Sequence, residues 1–188
     1  DARRPNPALS AIRTIRWDGW SEYNSMTLKL EKRFASRFAF DANYTLSKAL
    51  DDASDVGPTF HEFNVPQDVR NIGAETALSS FHHAHRFVFT GTYEIPGGWT
   101  VNTIGTFQTG APITINLPTD NANVGPGPAQ RHNLLRNPNL KSGGTAERWF
   151  DTDAFAMPAP FTFGNAGRNI VYEDGETNVD LSVTKQFM

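Results

Sequence analysis

Cysteine is absent from the 188 residues, which removes disulfides, thiolate metal sites and cysteine nucleophiles together and leaves the redox compartment open. Also missing is any run approaching the roughly 18 apolar residues that a membrane-spanning helix needs. That excludes a helical membrane protein only. Barrel strands need about 9–11 residues each and alternate in polarity, so a barrel carries no such run. The 17 basic residues do not outnumber the 20 acidic ones; no basic stripe results, and nucleic acid is not an expected partner. The first residues, "DARRPNPALS", lack the apolar segment of a secretion signal, so the expectation is a cytoplasmic protein or a chain whose beginning is missing. No segment reads convincingly as a helix.

What the chain does have is alternation. "FAFDANYTLS" sets Phe38, Phe40, Ala42, Tyr44 and Leu46 on one side and Ala39, Asp41, Asn43, Thr45 and Ser47 on the other. Four further segments share this period of two, and together they predict strands near 25–34, 38–48, 85–95, 99–109 and 178–187. Two residues break the pattern: Lys32 falls on the apolar side of its strand, and Ile104 on the polar side of its own.

The connections alternate as sharply as the strands. "ASR" (Ala35 to Arg37) and "PGG" (Pro96 to Gly98) are tight turns, whereas 51–84 and 110–177 are long and rich in Gly, Pro, Asn and Asp. Compact soluble domains seldom hold structureless loops beyond about 12–15 residues, but outer-membrane barrels combine short periplasmic turns with long extracellular loops. Aromatics agree with this reading. Phe34, Phe38, Tyr93, Trp99 and Phe187 gather near the short turns as one interfacial girdle, and Tyr44, Phe87, Phe89 and Phe107 approach the opposite interface. Lys32, beside a turn, would run its stem along lipid and lift its ammonium to the headgroups.

The fold expected is therefore all-β: a segment of an antiparallel transmembrane β-barrel in the outer membrane, with lipid as a partner. Its apolar faces meet lipid and its polar faces line a hydrated lumen. Alternation alone fits a soluble extracellular β-sandwich equally well, with the polar residues as its solvent face; this binding or adhesion module is the alternative. Five or six strands cannot close a barrel, since the smallest single-chain barrels have about 8 and an open edge leaves backbone groups unsatisfied in hydrocarbon. The expectation is a piece of a larger barrel.

The motifs resemble a known family. "YNSMTLKLEKRFASRFAFDANYTLSKALDD" (Tyr23 to Asp52), "AHRFVFTGTYEIPGGW" (Ala84 to Trp99), "FQTGAPITI" (Phe107 to Ile115), "RWFDTDAFAMPAPFTFGNAGRN" (Arg148 to Asn169) and "NVDLSVTKQF" (Asn178 to Phe187) occur in the order seen in Oar-like TonB-dependent outer-membrane proteins. The resemblance implies a receptor or transporter for energised uptake, or surface binding and adhesion, of a bulky extracellular ligand captured by the loops, with a plug moved by the TonB system through parts not found in this chain. It also implies further strands after this segment.

Candidate sites are few. "HHAH" offers His82, His83 and His85 as metal ligands, with His61 and His132 as distant additions, but interfacial histidines at a strand end are the simpler reading. "DNANVG" (Asp120 to Gly125) resembles a calcium loop without its alternating acids or its closing Glu. "SKALDDASD" places Ser47, Asp51, Asp52 and Asp55 where a strand leaves the membrane, as a solvated acidic loop base or, less simply, a cation site. His61 and Glu62 in "FHEFN" lack the second His of a zinc helix. Aromatics in "TFHEF", "RWFDTDAF" and "FTF" would cap the barrel mouth or stack on a carbohydrate. No catalytic motif is present, and neither an enzyme, a cofactor nor a metal is expected.

Overall fold

A computed structural model describes residues 16–54, 65–125, 129–140, 144–145 and 147–187. Five long strands dominate it: β1 (Ser21–Ala35), β2 (Phe38–Asp51), β3 (His85–Ile95), β4 (Trp99–Gln108) and β5 (Glu176–Lys185). Each pairs antiparallel with the next, so the wall is one sheet in the order β1-β2-β3-β4-β5. The only helical pieces described are single 3-10 turns at Ile72–Glu75 and Thr152–Ala154.

The two tight turns obey their residues. Ser36 and Arg37 link β1 to β2 with φ of 56° and 68°, the left-handed pair whose twist matches a hairpin, although non-glycine residues there cost about 1–2 kcal/mol each. Just before the turn, pairing slips by one residue between Lys32 and Ala35. Strict alternation ends at this bulge, so Phe34 is no longer assigned to the apolar row by parity. Lys32 remains in that row opposite Phe40. Its ammonium folds back on the turn, donating to the Ala35 and Phe38 carbonyls at 2.8 Å each and lying 5.0 Å from the centre of the Phe38 ring. At the other turn, Gly98 has φ 82°, and a Cβ there would stand 2.6 Å from the Gln186 carbonyl oxygen. Glycine thus permits both the turn and the close approach of the chain leaving β5.

Register gathers the alternating residues into rows. Tyr44, Phe87 and Phe107 fall in one cross-strand row, with the Phe87 and Phe107 rings 6.1 Å apart. Toward the turns, Phe38 pairs with Tyr93, and Ile95 with Trp99. Ile104 lies in the polar row between Thr90 and Asp180 and is half exposed; nothing in the structure explains an apolar residue there.

The sheet has no core of its own. Leu28, Leu30 and Leu181 on its apolar face are 58%, 63% and 69% exposed, and among the described residues no second sheet covers them. Among the described residues the buried hydrophobic side chains Leu117, Ala122, Ala129, Ala154, Ala166 and Val171 all belong to the long connection between β4 and β5. Core packing therefore lies in the loops, and the wall offers its apolar face outward. A sandwich would bury that face, so the soluble alternative lacks its defining contact.

Candidate functional site

The long connections fold together at the end of the sheet away from the tight turns. β2 outlasts β3 there, and its last residues would carry unpaired backbone groups were they not met by the loop before β3. Ala77–Leu78 pairs with Leu50 and Asp51; Ser79 N donates to the Ala49 carbonyl at 3.0 Å; Ala49 N donates to His82 Nδ1 at 3.3 Å. Ser47 completes the seam, its hydroxyl donating to the His83 carbonyl at 2.8 Å.

Four buried charges lock this loop to the β4–β5 connection. Arg131 grips Glu75 in fork geometry, Nη1 to Oε2 at 2.6 Å and Nη2 to Oε1 at 3.0 Å, with side chains only 4% and 5% exposed. Arg168 donates to the Asp51 carboxylate, to the Asp51 carbonyl at 2.8 Å, to Ser54 Oγ at 3.0 Å and to the Glu75 carbonyl at 3.0 Å. Gln67 ties the set together, its amide N donating to Glu75 and its side-chain oxygen accepting from Arg131 N at 2.8 Å. Next to Arg168, Asn169 donates to the Leu78 carbonyl at 2.8 Å. Such charges are costly to bury and are tolerated only because almost every donor and acceptor is satisfied.

Parity fixes where this assembly sits. Asp51 shares the polar side of β2 with Asp41, Asn43, Thr45 and Ser47 in an unbroken register. Arg168, bound to Asp51, therefore draws the loops over the polar side and leaves the apolar face open. Below them the polar side forms a shallow trough of about 520 Å³ bordered by Lys29, Glu31, Asp41, Thr90 and Asn102, with Lys29 bridging Asp41 at 2.8 Å and Glu31 at 3.2 Å. An open sheet with an outward apolar face, a wet polar face and loops roofing one end is a piece of membrane barrel wall.

A family model for the outer membrane beta barrel domain matches residues 1–188. The chain belongs to that family. No curated protein and no solved structure matches it. As an outer-membrane barrel wall, the sheet turns its apolar rows to lipid and its polar rows to the lumen; the tight turns face the periplasm and the long loops the exterior. From Phe40 to Lys48 the lipid-facing row of β2 spans a stretch of strand within the roughly 9–11 residues that cross such a membrane.

The histidines singled out in the sequence do not converge. His82 is buried against the Ala49 amide, His83 Nδ1 contacts the Thr109 carbonyl at 2.6 Å, and His85 Nδ1 contacts the Tyr44 hydroxyl at 2.7 Å on the lipid side. His132 stacks edge-on with Phe155 elsewhere in the roof. Asp120, exposed, closes its own loop: its carboxylate accepts from Val124 N at 3.1 Å, Gly125 N at 2.9 Å and the Gln130 side-chain amide. Partial burial pushes its carboxyl up, and those donors outweigh it to hold the group below the usual carboxylate range. The expected solvated acidic loop base is corrected by the structure, because Asp51 is buried in its pair with Arg168 and Asp52 accepts from Trp20 N at 3.0 Å. Asp55, His61 and Glu62 lie outside the described residues. Of the loop aromatics, Trp149 donates to the Tyr172 carbonyl at 3.0 Å, Phe150 packs edge-on against Phe155, and Phe161 is exposed. Among the described residues no three His, Asp or Glu side chains gather as a metal site.

Sequence reasoning missed Glu75, Arg131 and Gln67, which sit in loop stretches with no local pattern. Arg168 and Asn169 did carry a signal, as an arginine and an asparagine closing the "FGNAGRN" loop motif.

His82 makes the roof seam sensitive to acid. Burial, with His83 and Lys48 nearby, lowers its affinity for a proton, and its Nδ1 must stay unprotonated to accept from Ala49. The unfolded side chain titrates near 6.5, so its contribution is complete above that pH and is lost as pH falls toward the lower folded value. Protease resistance of the loop around residues 65–84 is expected to decline as pH drops from 7 to 5. A His82→Gln variant, which keeps an acceptor without titrating, should flatten that component.

Proposed function

We propose that this chain supplies wall strands and mouth loops of a TonB-dependent, Oar-like receptor or transporter for a bulky extracellular ligand, and that it is not an enzyme. The observation that carries this reading is the roof: two long loops, locked by buried charge pairs, drawn over the lumen side of the wall. Such a roof is suited to closing over a captured ligand at the mouth of a wide barrel. The ordered motifs from Tyr23 to Phe187 support the choice of family. Width is supported by the edges. The described sheet ends at β1 and β5, and in a bilayer both edges need pairing by further strands. In this reading the partners are outer-membrane lipid, the TonB system, contacted through other parts of the protein, and the ligand.

Transport and surface adhesion separate in one experiment. Photo-cross-linking of the whole protein in energised cells is expected to trap TonB, and dissipating the proton gradient should abolish the adduct. A correctly assembled barrel that never cross-links to TonB would remove the transport reading and leave a surface-binding one.

A further inference from the structure

We propose that the β1–β2 turn binds the phosphate of an anionic phospholipid in the periplasmic leaflet. The lipid-facing row of β1 runs through Met26, Leu28 and Leu30 and meets its first cation at Lys32, where the chain turns. Lys32 is fixed rather than free: the Ala35 and Phe38 carbonyls, both at 2.8 Å, and the Phe38 ring hold its ammonium at the turn. Its neighbour Arg33 has a side chain 95% exposed, and Arg37, in the turn itself, is also exposed. Lys32 and Arg37 thus share one bulged turn, with Arg33 beside it. Glu31, of the lumen row, divides its contacts between Lys29 at 3.2 Å and Arg33 at 3.9 Å, and Glu94 adjoins the turn through its N–H, which donates to the Arg37 carbonyl at 2.8 Å.

The same level is marked on the other side of the described sheet. Lys185, in the lipid-facing row of β5, lies 4.8 Å from the Trp99 ring centre and 5.1 Å from that of Phe187. An ammonium laid over an aromatic ring at the end of an apolar row is the arrangement of an interfacial anchor, so the turn residues stand at headgroup height. A phosphodiester presents two unesterified oxygens and one negative charge, which a guanidinium fork and an ammonium together match. Its acyl chains would then run up the apolar row past Leu30 and Leu28. A free phosphate gains nothing from that row, and this favours a lipid as the occupant.

The inference rests on the barrel fold and not on the transport reading, so the TonB cross-link and the lipid test fail independently. The whole protein, extracted from its outer membrane, is equilibrated with nanodiscs of phosphatidylethanolamine and phosphatidylglycerol, and retained lipid is read by native mass spectrometry. Phosphatidylglycerol is expected to be retained in preference. Arg33→Gln with Arg37→Asn should weaken the preference by about fivefold per charge removed, with folding preserved because Arg33 is exposed and Asn tolerates the left-handed conformation at 37. Arg70→Gln, in an external loop, should change nothing. Equal retention of both lipids by the wild type, a preference that survives the double change, or equal loss in the Arg70→Gln control would overturn the proposal. So would displacement of the lipid by inorganic phosphate, which would reassign the site to a free anion.

Discussion

Leu28→Arg is expected to destabilise the membrane-inserted protein by about 2–4 kcal/mol, and Thr27→Arg, one residue away, by far less. Leu28 lies midway along the apolar row of β1 opposite Tyr44, which the register thereby sets at mid-row and not at the outer interface expected of it, with a side chain 58% exposed on the sheet surface. Little protein packing is lost on replacing it, so the cost reports the hydrocarbon around it. Thr27 points the other way, its hydroxyl 3.3 Å from that of Thr45 in the polar row, where an arginine meets water. Urea titration of the protein refolded into vesicles, followed by heat-modifiable gel mobility, measures both. Equal costs at the two positions would mean that both faces see the same medium, and the assignment of lipid and lumen would fall.

The second large effect belongs to the roof. Arg168→Ala is expected to cost about 3–5 kcal/mol locally, because it strands the Asp51 carboxylate, 5% exposed, without its counter-charge. It also removes the donor to the Glu75 carbonyl, which couples one ion pair to the other. The loss should appear as faster amide exchange at residues 72–78 and 165–172 while the wall keeps its heat-modifiable mobility, since none of the pairings among the five long strands involves Arg168. Replacing both partners, Asp51→Leu with Arg168→Met, should recover most of the protection, as apolar substitution of a whole buried pair often does. A double variant as unprotected as the single one would show that the hydrogen bonds to Ser54 and Glu75 carry the roof and the charge pair does not.

The wall was legible in the sequence because its determinants are local. A period of two needs only neighbours, "PGG" announces its own turn, and a lysine out of pattern beside a turn already suggests an interfacial anchor. The detail of that anchor was not legible. Lys32 reaches the turn carbonyls because a bulge shortens the return, and a bulge follows from pairing rather than from composition. The roof was hidden for a stronger reason: Glu75, Arg131 and Arg168 acquire partners only through long-range contacts, and an isolated Arg in a loop looks the same whether it is solvated or buried. "HHAH" misled in the opposite sense. Its spacing suggests one shared face, yet each imidazole follows a different backbone segment, since the strand begins only at His85.

The separation of Asp51 from Arg168, 117 residues along the chain, sets an order of events in time. A hairpin such as β1–β2 closes over a two-residue turn and needs no distant partner, so it is among the first contacts available to the chain. The lock between Asp51 and Arg168 closes a loop that encloses β3, β4 and the greater part of both long connections, and closure of so long a segment is entropically deferred until the intervening strands are in register. Protease resistance of the outer loops should therefore arise last during assembly. It would serve as a timestamp for completed insertion of the wall beneath them.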